Sequence, residues 1–312
     1  MEYSMPLTFE VYDMSTLANA MKSIARSGNR LHLVNNNGQP NSVTSTPISV
    51  TPVSETDEQI EKRISERFDI YEQLVDMTIR GSSRSLIVSG PPGLGKTYIV
   101  ERQLESRYGD DYNHMMSSGF IRPTGVYRRL YENSDAGKVH VFDDIDSLLE
   151  SVDSLNLLKK ACDTIDRRFI SWGTETTMRD EDTGDRLPTT FEYQGSIIIL
   201  TNINLDDIIA KGNKTSDHIS AMISRSHYID LGLRTKRDYI VRIKQVIRQG
   251  MLNDLISEEA TTEVVSYIEK NQNNLREISL RIARKIANTM KDKPNTWEKI
   301  CNVTCCPTNS RK

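Results

Sequence analysis

Eight consecutive residues, Gly90-Pro91-Pro92-Gly93-Leu94-Gly95-Lys96-Thr97, constrain this chain more than any other stretch. They follow the phosphate-loop pattern of a glycine, a run of free positions, then Gly-Lys-Thr. The flanks agree with it. Ser85-Leu86-Ile87-Val88-Ser89 is an apolar run with the length of a buried strand, and Tyr98 through Leu104 begins a helical pattern. Strand, glycine turn and helix in that order bring backbone N–H groups and a helix N-terminus around one anion. The residue types then have assigned work. The backbone of residues 90–98 cradles phosphates, Lys96 reaches the β- and γ-phosphates as a point charge, and the Thr97 hydroxyl ligates Mg²⁺.

Downstream segments supply what such a loop needs. Val139-His140-Val141-Phe142 is an apolar strand ending in Asp143, Asp144 and Asp146. A parallel sheet would deliver its end beside the phosphate loop, so Asp143 is expected to hold the Mg²⁺ water shell and Asp144 to polarise an attacking water. Ser196 through Thr201 reads as a further core strand, and Asn202 at its end has an amide suited to the γ-phosphate and the lytic water. A helix ending near Ser224-Arg225-Ser226 then presents an arginine ahead of another strand. Arg225 is expected to reach a neighbouring subunit's γ-phosphate, with Arg234 as its rival.

The remainder falls into segments. Residues 1–34 form a small appendage, too short for a core of its own, and residues 35–57 read as a disordered linker. Residues 58–80 carry an apolar helical stripe from Ile60 to Ile79. The glycine-flanked pair Phe120-Ile121 reads either as an exposed, polymer-gripping loop or as a loop packed with Phe120 in the core. Residues 168–195 form a hairpin-like excursion before the Asn202 strand. Residues 236–250, 258–270 and 275–291 have helical spacing, which places Arg276 in the first turn of the third helix, with Arg281 and Arg284 as rivals; 302–312 read as a tail.

Composition narrows the class. A net charge of −3 over 312 residues gives no global basic footprint, though it leaves room for a local basic channel. No apolar run is long enough to span a membrane, and the N-terminus lacks the basic start and apolar core of a secretory signal, so the cytoplasm is the expected location. Cys162, Cys301, Cys305 and Cys306 have no nearby histidine or second pair to complete a zinc set, so free thiols are expected.

The order of these parts resembles an AAA+ ATPase over roughly residues 58–292. The resemblance implies an α/β fold: a five-stranded parallel αβα core over 58–234, a helical lid over 235–301, and ATP bound between subunits of a homo-oligomeric ring, usually a hexamer. It implies that Asn202 is the first sensor, Arg225 the arginine finger and Arg276 the second sensor. Phe120-Ile121 looks like a pore loop, and the 168–195 hairpin resembles that of helicase, branch-migration and unfoldase branches. Three segments, 123–132, 157–161 and 187–195, are similar to phage-encoded members. One feature departs from the pattern: Asp143-Asp144 stands where the family usually has Asp-Glu. The shorter Asp144 brings water closer or leaves room for help from Asp146, and slow hydrolysis fits it.

These expectations amount to an ATP- and Mg²⁺-dependent ring ATPase acting on DNA in phage replication or recombination. Two alternatives stay open. One is a motor that remodels a protein client. The other is a slow nucleotide switch that recruits a partner through residues 1–34.

Overall fold

The computed structural model describes residues 55–144, 146–173, 178–179 and 184–307. The N-terminal appendage and the linker up to residue 54 lie outside them. Helix α1 (Asp57–Ile79) starts at an N-cap, Thr56, which exchanges hydrogen bonds with Gln59 in a capping box. Strand β1 (Ser85–Ser89) and helix α2 (Lys96–Tyr108) enclose the glycine loop. There follow β2 (Met116–Ser118), α3 (Pro123–Glu132), β3 (Val139–Asp143), α4 (Asp146–Glu150) and α5 (Val152–Ala161). Next come β4 (Phe169–Ser171), β5 (Thr190–Glu192), β6 (Ser196–Thr201), α6 (Leu205–Ile209), α7 (Lys214–Ile223) and β7 (His227–Asp230). The last helices among the described residues are α8 (Lys236–Arg248), α9 (Glu258–Asn271), α10 (Leu280–Asp292) and α11 (Trp297–Thr304).

Five strands form one parallel sheet in the order β2-β3-β6-β1-β7. β1 and β6 are buried along their whole length, which a strand covered by helices on both faces requires, and their near-continuous apolar sequence is the cause. Alternate residues serve opposite faces. Leu86, Val88, Val141, Ile198 and Leu200 pack against α1 and α2. Ile87, Phe142, Ile197 and Ile199 pack against the face made by α3, α5 and α7. The result is the α/β, five-stranded αβα class expected from the sequence, followed by a C-terminal helical region with a core of its own. That core includes Ile243, Val264, Ile268, Ile286 and Cys301.

The excursion between α5 and β6 is an antiparallel pair, β4 with β5, extended by a bridge between Arg179 and Arg186. Several elements escaped the sequence reading, among them α3, α4 and α6. β2 is three residues long, too short to show a period, and α11 reaches Thr304, into the stretch read as a tail. The four cysteines are free thiols, and among the described residues no helix is long and apolar enough to cross a membrane.

Gly195, between the β4–β5 hairpin and β6, is a glycine for a steric reason. A Cβ there would lie 2.1 Å from the Asn133 carbonyl oxygen. That oxygen is backbone and cannot swing aside, so Gly195→Ala should lower stability by about 3 kcal/mol. Urea unfolding measures it; a loss below about 0.5 kcal/mol would contradict the tight approach.

Candidate functional site

Strand registers assemble the site. Ser89 lies level with Thr201, and Asp143 with Leu200. The loop leaving β1, the acids ending β3 and the amide following β6 therefore meet at the carboxyl edge of the sheet, where open α/β sheets bind ligands. The ladder continues beyond the strands: Gly90 donates to Thr201 O and Asp144 donates to Leu200 O.

Lys96 is 6 % exposed. Its ammonium donates to Gly90 O at 2.6 Å, Pro91 O at 2.9 Å and Asn202 Oδ1 at 2.8 Å, which uses all three donors. Burial pushes its pKa down to about 8, against the pull of Asp143 and Asp144, and Arg281 adds to the depression. The Thr97 hydroxyl donates to Asp143 Oδ2 at 3.0 Å. Burial raises the Asp143 carboxyl, while this hydrogen bond opposes the rise. Asp146 is also raised, first by burial and then by Asp144. From the other side of the loop helix, the buried Tyr71 hydroxyl donates to Lys96 O at 2.8 Å and pins the start of α2 to α1.

Asp144 stands in the left-handed region with φ +52°. That conformation costs a non-glycine residue roughly 1 kcal/mol. The Asn202 side-chain amide donates to Asp144 Oδ1. This hydrogen bond opposes the backbone cost. Asn202 thus holds Lys96 with its oxygen and Asp144 with its nitrogen.

The loop itself is tightly enclosed. Leu94 is buried, Gly90 packs on Leu231, and Pro92 and Tyr98 face solvent, with Arg102 6.0 Å from the Tyr98 ring centroid. Gly93, at φ +71°, lies so close to the helical region that a Cβ would meet Ser279 Cβ at 2.9 Å and Arg281 Cδ at 3.6 Å. Leu280 N donates to Gly93 O at 2.8 Å. Helix α10 therefore begins directly on the loop.

This start corrects the placement of Arg276. Leu275 and Ile278 continue the helical spacing, but Ser279 is extended and caps α10, its hydroxyl accepting from Ile282 N at 3.2 Å. Arg276 is left in the preceding loop with its side chain exposed and its N–H on Cys305 O. Arg281, near the start of α10, is the arginine that acts on Lys96 and Asp143. Arg284 pairs with Asp254 instead.

Arg225 lies at the opposite edge of the sheet. It follows α7 and precedes β7, and its carbonyl accepts from Ser85 Oγ at the start of β1. β1 spans roughly 13 Å from there to the loop, so Arg225 cannot serve its own loop. Its Nη1 donates to Ala221 O at 2.6 Å, and Asp163 lies 3.9 Å from Nε. Arg234 is bound to Asp230 of its own chain. In the loop after β2, Phe120 is 79 % exposed beside Gly119 at φ +83°, and Ile121 packs inward, so the packed alternative for Phe120 does not hold.

Two hard oxygen donors, the Thr97 hydroxyl and the Asp143 carboxylate, meet at the loop, which fits Mg²⁺, an ion that keeps several waters and takes few protein ligands. Among the described residues, no cluster of three or more His, Cys, Asp or Glu side chains offers a metal site.

Lys96 carries a direct test. Its folded pKa of about 8 lies below the ordinary 10.5, so the unfolded chain holds this proton more tightly. Its contribution to stability therefore rises between about pH 8 and about pH 10.5 and is lowest below that window. Lysine ¹³Cε NMR of the ligand-free protein should show one midpoint near 8 that is lost in Lys96→Arg; titration of every lysine near 10.5 would contradict the buried ammonium.

No family model matches the chain. Among solved structures, domain III of the Thermotoga maritima replication initiation protein DnaA has a TM-score of 0.41 at 14% identity, over 75% of this chain and 86% of its own. Brucella abortus NtrX in complex with ATP has a TM-score of 0.40 at 13% identity, over 89% and 56%. The S. cerevisiae Hsp104–ADP complex has 0.40 at 14%, over 82% and 50%. Sequence similarity is much stronger to a protein of Enterobacteria phage T4, the uncharacterized 36.7 kDa protein in the nrdC-mobD intergenic region. The two are 34% identical over 266 residues, which is 84% of this chain and 81% of the T4 protein. The chain therefore belongs to the same family as that phage T4 protein.

Proposed function

We propose that this protein is an AAA+ ATPase that binds ATP with Mg²⁺ at its phosphate loop and hydrolyses it between subunits of a ring. One observation carries the reading: Lys96, Thr97, Asp143, Asp144 and Asn202 converge on one loop at the carboxyl edge of a parallel sheet. Lys96 binds the terminal phosphates and gives up Asn202 as they arrive. Freed from Lys96, the Asn202 amide orients the γ-phosphate and the water, and Asp144 accepts that water's proton. Thr97 and Asp143 hold Mg²⁺, which neutralises charge on the phosphate oxygens when bound. Arg281 reaches the phosphates from α10, in the role expected of Arg276. Arg225, remote from its own loop, serves the site of a neighbouring copy.

The family includes a phage protein, and a role in phage DNA replication or recombination, with DNA as the polymer, fits that setting. The exposed Phe120 supports a second reading, in which the ring grips an unfolded protein chain. The two predict different stimulants.

Steady-state ATP hydrolysis with no polymer, single-stranded DNA, duplex DNA or an unfolded protein separates them. Stimulation by DNA supports the first reading, and stimulation by protein alone supports the second. Lys96→Ala and Arg225→Ala should each abolish turnover, by on the order of 10³-fold for the finger. Mixing the two inactive variants should restore part of the activity, because an intact Lys96 site can then face an intact Arg225. No recovery on mixing would count against a site shared between subunits, and no Mg²⁺-dependent hydrolysis under any condition would overturn the ATPase reading.

A further inference from the structure

Arg242, in the middle of α8, is a buried cation that the site as described leaves without work. It is 7 % exposed. Its guanidinium carbon lies 3.5 Å from the Phe68 ring centroid, so the group is stacked flat against α1. Nη1 donates to Gln245 Oε1 at 2.8 Å, a neutral acceptor, and Nε is buried with no hydrogen-bond partner. Among the described residues Arg242 forms no ion pair; Asp69 and Glu72 act on it only at a distance, and burial lowers its pKa to about 10. A buried guanidinium without a carboxylate is an expensive arrangement unless a further partner completes it.

The position says which anion. Nη2 lies 3.8 Å from where a Cβ of Gly95 would stand, and Gly95 is the residue that caps α2. The N–H groups of the first turn of α2 open beside it, in the arrangement that binds phosphate. Arg281 comes down at the other end of the loop, over Gly93, and acts on Lys96 and Asp143. The two arginines of the helical region therefore both stand against the loop, Arg281 over Gly93 and Arg242 beside Gly95 at the N-terminus of α2.

We infer that Arg242 is a nucleotide ligand, donating Nε and Nη2 to the phosphate seated at the N-terminus of α2, one that a bound nucleoside diphosphate and triphosphate share. The inference rests on the reading of the loop as a nucleotide site. It gives the Phe68 stack a purpose: the ring fixes the plane of the fork, so the donors are aimed before the ligand arrives. It also joins α8 of the lid to the core through the ligand itself.

The role separates from a packing role by experiment. Calorimetric titration with ADP and with the non-hydrolysable analogue AMP-PNP would be run on wild type, Arg242→Met, Arg281→Met and Lys96→Ala, each with its ligand-free melting temperature. Arg242→Met should weaken both ligands by the same factor, about 10- to 100-fold. Its ligand-free melting temperature should hold or rise, since an apolar side chain replaces an unpaired buried charge. Arg281→Met should weaken AMP-PNP more than ADP. Wild-type affinity for both ligands in Arg242→Met, or in Arg242→Gln should the methionine variant not fold, would overturn the inference and leave the nucleotide site standing. Failure of the wild-type protein to bind either ligand would remove both.

Discussion

Lys96 carries its charge into a place where burial strips away most of its water, and three oxygens stand in for that water. Two are carbonyls of its own loop and the third is the Asn202 amide, whose nitrogen in turn holds Asp144. Much of the site follows from this arrangement. The loop is folded back on its own lysine, so the glycine turn is shaped before a ligand binds. Asp144 is held in a left-handed conformation by a partner committed to Lys96. A polyphosphate is a better partner for a desolvated ammonium than three neutral oxygens, since it supplies formal charge where the local dielectric is low. Under the proposed function its arrival would draw Lys96 away from Asn202 and alter the grip on Asp144, so that ligand sensing and positioning of the acid would be one hydrogen-bond exchange.

The helical region is built into that exchange. α10 starts on Gly93 through a backbone hydrogen bond, Arg281 stands over the loop, and Arg242 lies beside Gly95. Further contacts tie α8 to α1, among them Arg63 to Asp238 and Arg248 to Glu61. A nucleotide bound to the loop would lie beside both the sheet edge and the helical region. Arg225, at the far edge of the sheet, stands apart from the loop of its own chain.

How far these features were legible in the sequence depended on how local their causes are. β1 and β6 stand out because strands covered on both faces need unbroken apolar runs, and Asp143, Asp144 and Asn202 follow as the polar residues ending such strands. The phosphate loop is a contiguous pattern and was read whole. Arg276 was misplaced because Leu275 and Ile278 continue the helical period across a boundary that only the extended backbone of Ser279 sets. β2 is too short to show a period. Arg242 sits in an ordinary amphipathic helix, and nothing local marks it. Its meaning comes from Phe68 and Gly95, both more than a hundred residues away in the chain.

The most direct test of the account is a crystal structure with a non-hydrolysable ATP analogue and Mg²⁺. The phosphates should lie on residues 90–97, the metal at Thr97 and Asp143, and Lys96 Nζ should have moved from Asn202 to a phosphate oxygen. Phosphates bound elsewhere, or a loaded site in which Lys96 still holds Asn202, would contradict it.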